Sequence, residues 1–136
     1  MFVPDSESAD MMLKRLELYK RLYTQIADVQ KLGLNNNRVA TERNLLRTID
    51  QLENYLTSSL DQDPLLLVNF SPEISDSEIS EWKDKAKKII EVNIRPTVSA
   101  YLDQLKTEHL PKGRGDDNCG IMWIDGGEES YLRSLR

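Results

Sequence analysis

One cysteine and one histidine are all that 136 residues supply of the strongest metal ligands and nucleophile–base partners. A lone cysteine excludes an internal disulfide and any multi-cysteine metal site. A lone histidine excludes the H-E-x-x-H helix of a zinc peptidase from this chain, because that motif needs two. A catalytic thiol also needs a base beside it, and Cys119 and His109 lie in different kinds of segment. Cys119 therefore reads as a small semi-buried residue. His109 reads as a ring near a helix end, where a partly charged imidazole suits the dipole. Long apolar runs are missing too. Leu65-Leu66-Leu67-Val68, which no other run exceeds, is far short of a membrane span. Positive charge is outnumbered, 18 basic to 23 acidic residues, and the two are interspersed, which argues against nucleic acid as the partner. The opening MFVPDSESAD has neither a basic n-region nor an apolar h-region, so it is no signal peptide. In a fragment of a longer protein, that absence would leave the parent's compartment open.

Short motifs add little chemistry. Asp116-Asp117 and Asp125 lack the alternating-oxygen spacing of a calcium loop. Gly126-Gly127 lacks the Lys-Ser/Thr of a phosphate loop and the third glycine of a dinucleotide motif, and Glu128-Glu129 would repel phosphate. Arg114-Gly115-Asp116 spells a cell-adhesion tripeptide but reads as a flexible loop. Asn69-Phe70-Ser71 fits a glycosylation acceptor, with Pro72 directly after it.

What the chain does have is helical periodicity. Composition, 39% hydrophobic and 30% charged, is that of an ordinary folded unit, and the length suits one unit over residues 1–136. From about Ser8 to Leu32, Met12, Leu16, Tyr19, Tyr23 and Ile26 recur at helical spacing. Leu22, Val29 and Leu32 widen that stripe, and Gly33 is placed as the left-handed residue ending the helix. A second stripe, Val39, Leu45, Leu46, Ile49, Leu52, Leu56 and Leu60, predicts a helix from about Asn37, capped by Asn36 or Asn37. The short loop between them predicts an antiparallel hairpin. Ser75 and Glu78 have capping-box spacing for a third helix. It continues through Ile79, Trp82, Ala86, Ile89 and Ile90, kinks near Arg95-Pro96, resumes with Val98, Tyr101, Leu102 and Leu105, and ends by Leu110-Pro111, the alternative being a break into two helices at the proline. Leu65–Phe70 and Ile121–Ile124 are the only brief strand signals. After the Asp125-Gly126-Gly127 turn, a short C-terminal helix begins. The fold class is mostly α: a hairpin, a long Pro-kinked helix and a short last helix.

From Arg95 onward the chain resembles a bacterial domain-of-unknown-function family, number 885, grouped with zinc metallopeptidases of the H-E-x-x-H type. Its members carry a helix like P-A-Y-x-x-L-x-x-x-L-x-x-E-Y-L-P. Here the frame reads PTVSAYLDQLKTEHLP, with Pro96, Leu105, Glu108, Leu110 and Pro111 matching and Thr97, Val98 and His109 among the departures. The family continues to G-L/I-x-x-L-P-x-G-x-x-Y-Y and a helix ending in Leu-Arg. In GIMWIDGGEESYLRSLR, Gly120, Ile121, Gly127, Tyr131, Leu135 and Arg136 fall in place, while Asp125 replaces the proline and Ser130 the first tyrosine. Lys31-Leu32-Gly33, Val39 to Leu52, and Pro64-Leu65-Leu66 are similar to earlier family segments.

The resemblance implies an upstream, non-catalytic helical portion of a zinc-dependent, peptidase-like hydrolase, truncated before the zinc motif. Zinc and a peptide substrate are then expected in the full-length parent and no cofactor in this chain. Gly127 and Tyr131 become candidate cleft residues, and the partner is the remainder of the parent domain or a second copy. The rival reading is a free-standing helical interaction module that grips a partner helix with an exposed apolar stripe.

Overall fold

The computed structural model describes all 136 residues and is mostly α. A two-residue strand β1 (Phe2–Val3) leads into α1 (Ser6–Asn35), and α2 spans Glu42–Thr57. Two 3₁₀ turns then lead to a second short strand, β2 (Asn69–Phe70), which pairs parallel with β1. Next comes one unbroken helical run. It comprises α3 (Asp76–Ile89), a π segment (Ile90–Ile94), α4 (Arg95–Gln104), a second π segment (Leu105–His109) and a 3₁₀ turn to Lys112. A final short helix, α5, covers Gly127–Ser134. No helix is long and apolar enough to cross a membrane.

Caps set the helix starts. Asp5 accepts from the Ser8 amide at 2.7 Å, so α1 begins earlier than its apolar stripe suggests. At α3 the expected capping box is present: Ser75 Oγ accepts from the Glu78 amide at 3.2 Å, and the Ser75 amide donates back to Glu78 at 3.4 Å. The α1–α2 junction differs from expectation. Gly33 is helical, and the left-handed residue is Asn37, with φ 56°. The Arg38 and Asn37 amides bond back to Gly33 O at 2.8 Å and Leu34 O at 3.2 Å, closing a Schellman turn. Asparagine tolerates that backbone region. Gly33 is needed for another reason, since a Cβ there would lie 3.0 Å from the Arg38 carbonyl oxygen of the returning chain. The cap of α2 is Thr41, neither Asn36 nor Asn37, and Val39 is buried in the connecting loop.

Both π segments end two residues before a proline, Ile94 before Pro96 and His109 before Pro111. A proline ring clashes with the carbonyl four residues back and contributes no N–H. Widening the preceding turn relieves the clash. Arg95 N–H reaches Ile90 O and Leu110 N–H reaches Leu105 O, five residues back in each case, and the backbone stays helical through both prolines.

The helices α1 and α2 each pack on α4, and α1 also meets α3. Two buried clusters result. One gathers Val3, Leu16, Leu66, Trp82, Ala86, Ile90, Ile94 and Val98, the other Leu34, Val39, Leu45, Ile49, Tyr101, Leu102 and Leu105. Within the first, Trp82 donates its indole N–H to Ala9 O at 2.9 Å and meets Phe70 edge-on with ring centroids 5.2 Å apart. Leu22, Val29 and Leu32 do not join either cluster. They lie on the opposite side of α1 from Leu16 and stay exposed.

Candidate functional site

The Gly126-Gly127 turn is built as its composition demands. Gly126 has φ 72°, where a Cβ is strained, and a Cβ on buried Gly127 would lie 1.7 Å from the Ile121 carbonyl oxygen. The turn therefore presses the start of α5 onto the segment before it. That segment is a 3₁₀ turn, Ile121–Trp123, and not the short strand its alternation suggested, because it has no neighbouring strand to pair with. Tyr131 sits one turn along α5 from Gly127 and is 52% exposed. Around it Ile121, Met122, Trp123, Leu132 and Leu135 are also exposed, so this corner presents an outward apolar patch. Trp123 and Ile124, which look like core residues in the sequence, are exposed and half-buried. Cys119 is exposed as well, against the semi-buried position expected of it.

Arg114 fastens this corner to the helices. Its Nε donates to Val39 O at 2.9 Å, and one terminal nitrogen donates to Asn118 O and Gly120 O, both at 2.8 Å. Its backbone bridges to Ala40 and Glu42. Asp116 pairs with Arg43 at 3.0 Å. Both charges of the Arg-Gly-Asp tripeptide are thus engaged within the chain. The flexible loop expected there is a strut. Composition could not disclose this, because the Arg114 acceptors are backbone carbonyls, and the one that anchors the loop to the helical body, Val39 O, is distant in sequence.

Two polar features escaped sequence reasoning. The first joins Asp63, Arg95 and Tyr55. Asp63 is fully buried. It accepts from the Tyr55 hydroxyl at 2.9 Å, from Arg95 at 3.2 Å and from the Leu65 amide at 3.0 Å. Arg95 also donates to Ser58 O at 2.9 Å, and its guanidinium lies 5.3 Å from the Tyr55 ring centre. Burial, and then the hydrogen bond and charge of Asp63, push the Tyr55 hydroxyl pKa well above its ordinary value. This network ties the α2–β2 connector to the helix next to Pro96. Asp63 and the terminal nitrogens of Arg95 are engaged by groups of the chain itself, and only Arg95 Nε is left without a partner, which marks a latch.

The second feature is His109. The π segment and Pro111 turn it inward rather than leaving it at an exposed helix end, and it is 4% exposed. Its Nδ1 faces Gln104 O at 3.3 Å, a carbonyl that only accepts, so Nδ1 carries the proton. Nε2 has no partner and no solvent contact. His109 is among the residues lining a recess of about 300 Å³, with Gln30, Arg38, Asn44, Thr48 and Tyr101. Because Nε2 itself has no solvent contact, that nitrogen is not presented to a substrate in this conformation.

No three histidine, cysteine, aspartate or glutamate side chains come together, so the chain's own residues do not fit a zinc ion. A family model described as "Bacterial protein of unknown function (DUF885)" matches residues 1–136. No curated protein and no solved structure matches the chain.

Proposed function

The chain belongs to the bacterial family of unknown function DUF885, and from that premise we propose that it supplies scaffold and cleft wall to a zinc-dependent, peptidase-like hydrolase. The observation that carries this reading is the apolar corner around α5. Ile121, Met122, Trp123, Tyr131, Leu132 and Leu135 are all exposed on α5 and the turn it packs against, a corner held by a glycine turn and by Arg114. A patch of this kind marks a surface that meets another body. In this reading one part of it packs on the remainder of the parent domain and Tyr131 lines the substrate cleft. Zinc and the water-activating base would come from that remainder, since the residues here do not fit the metal. The substrate would be a peptide.

The first test is the intact mass of the endogenous protein in its source cells. A product much heavier than 15.7 kDa agrees with the reading; a product of that mass sinks it. In the heavier protein, Tyr131→Phe is expected to lower turnover about tenfold, the worth of one hydrogen bond of about 1.4 kcal/mol to the reacting complex. Unchanged turnover would remove Tyr131 from the cleft. A second reading, an interaction module acting through a helix face, is favoured by the outer side of α1.

A further inference from the structure

The outer side of α1 carries Met11, Leu18, Leu22, Val29 and Leu32, which are 50, 59, 48, 67 and 61% exposed. Arg15 and Gln25 complete the series. Positions 11, 15, 18, 22, 25, 29 and 32 alternate steps of four and three, the seam of a two-stranded coiled coil. The buried stripe of the same helix, around Leu16, Tyr19 and Tyr23, lies on another face, so the seam is additional to what the fold consumes. Its reach from Met11 to Leu32, at about 1.5 Å per residue, is about 32 Å.

We infer that this seam is the interface with a second copy of the chain, the two α1 helices crossing antiparallel with Leu22 facing Leu18 of the other copy. In that register Val29 meets Met11 and Arg15 meets Gln25, each twice by the two-fold symmetry. All the apolar layers are then filled by apolar partners except Leu32, which falls at the end. Flanking charge supports the same register. Lys14 and Asp28 lie on one edge of the seam, both exposed and neither in an ion pair within its own chain. Antiparallel pairing brings Lys14 of each copy to Asp28 of the other. Parallel pairing would instead stack Arg15 on Arg15 inside the seam. The one unfavourable pair in the antiparallel arrangement is Arg21 against itself at the two-fold axis, on the solvated rim, where such pairs cost little. A two-fold interface closes on itself and gives a dimer, not a filament.

The test is sedimentation equilibrium of the 136-residue chain over a concentration series, with circular dichroism to verify the fold of each variant. The mass should rise from that of one chain to that of two. Leu22→Lys should weaken association about a hundredfold, since the side chain is used twice and each loss is worth about tenfold. Leu22 is half exposed, so the monomer should fold with the substitution. Register is read by cysteine pairing in a Cys119→Ser background. Arg15→Cys mixed with Gln25→Cys should form the mixed disulfide, and neither variant alone should cross-link. A single-chain mass throughout, association indifferent to Leu22→Lys, or cross-linking by Arg15→Cys alone would each overturn the inference. None of these outcomes bears on the hydrolase reading, which rests on the other corner of the molecule.

Discussion

Replacing Asp63 by alanine tests whether the buried latch holds the connector to the long helix. The carboxylate is fully buried and accepts from Tyr55, Arg95 and the Leu65 amide. Its removal strands a guanidinium that is 17% exposed and whose Nε already lacks a partner. Breaking a buried pair from one side costs about 3–5 kcal/mol. Arg95 keeps its bond to Ser58 O, which places the expected loss near the lower end, about 3 kcal/mol. Against a total of about 5–15 kcal/mol this is a large share, and for a chain of this size it corresponds to a fall in Tm of about 10 °C. Urea titration followed by far-ultraviolet circular dichroism would measure it, with the slope expected to stay constant. The decisive comparison is the cycle with Arg95→Met. The double variant should be more stable than the two single losses imply by at least about 1 kcal/mol, because the second substitution removes the stranded charge. A loss under about 1 kcal/mol for Asp63→Ala, or two losses that simply add, would refute the latch.

Gly127→Ala should disrupt α5 locally: amide exchange across residues 127–134 should rise sharply while the urea midpoint barely moves, since α5 packs chiefly on the Ile121–Trp123 turn. Retained protection there would contradict the clash. Alkali should destabilise the fold. Tyr23, Tyr55 and Tyr101 are all held above their ordinary pKa, burial being the first cause for each. A raised folded-state value gives stability that is complete below the unfolded tyrosine value, about 10, and is lost as pH climbs through the folded values. The urea midpoint should therefore fall above about pH 10, and less steeply in Tyr55→Phe. The two tryptophans should report separately, because Trp82 is buried and Trp123 is 54% exposed. Trp123→Phe should leave a blue-shifted emission that acrylamide quenches poorly, and a red-shifted residue would mean that Trp82 is wet.

Periodicity made the fold class legible, and the capping box at Ser75 and Glu78 fixed one helix start to the residue. The apolar stripe of α1 is wider than the face the fold buries. Leu22, Val29 and Leu32 are apolar, but hydrophobicity does not say which body covers a face, and here the chain itself does not. Helix ends went astray where two residues compete for one role. Gly33 has the stronger intrinsic preference for a left-handed turn, yet Asn37 takes it, because a close approach by Arg38 decides the matter. Proline signalled disturbance at 96 and 111 without disclosing that a π turn would absorb it. Of the candidate site, the tight turn at Asp125-Gly126-Gly127 is visible in the sequence, whereas the contact that a Cβ at 127 would make with the Ile121 carbonyl is not. Nor are Arg114, Asp63 and the inward His109, because each acts through partners set by the tertiary fold.

The two apolar clusters are not sealed from each other. Tyr23, Leu52 and Leu56 pack against both. Side chains shared in this way couple the two clusters energetically, so the half that holds the Asp63–Arg95 pair and the half that holds His109 are expected to melt as one unit. Trimming Leu52 or Leu56 would uncouple the halves, and a single transition would then separate into two.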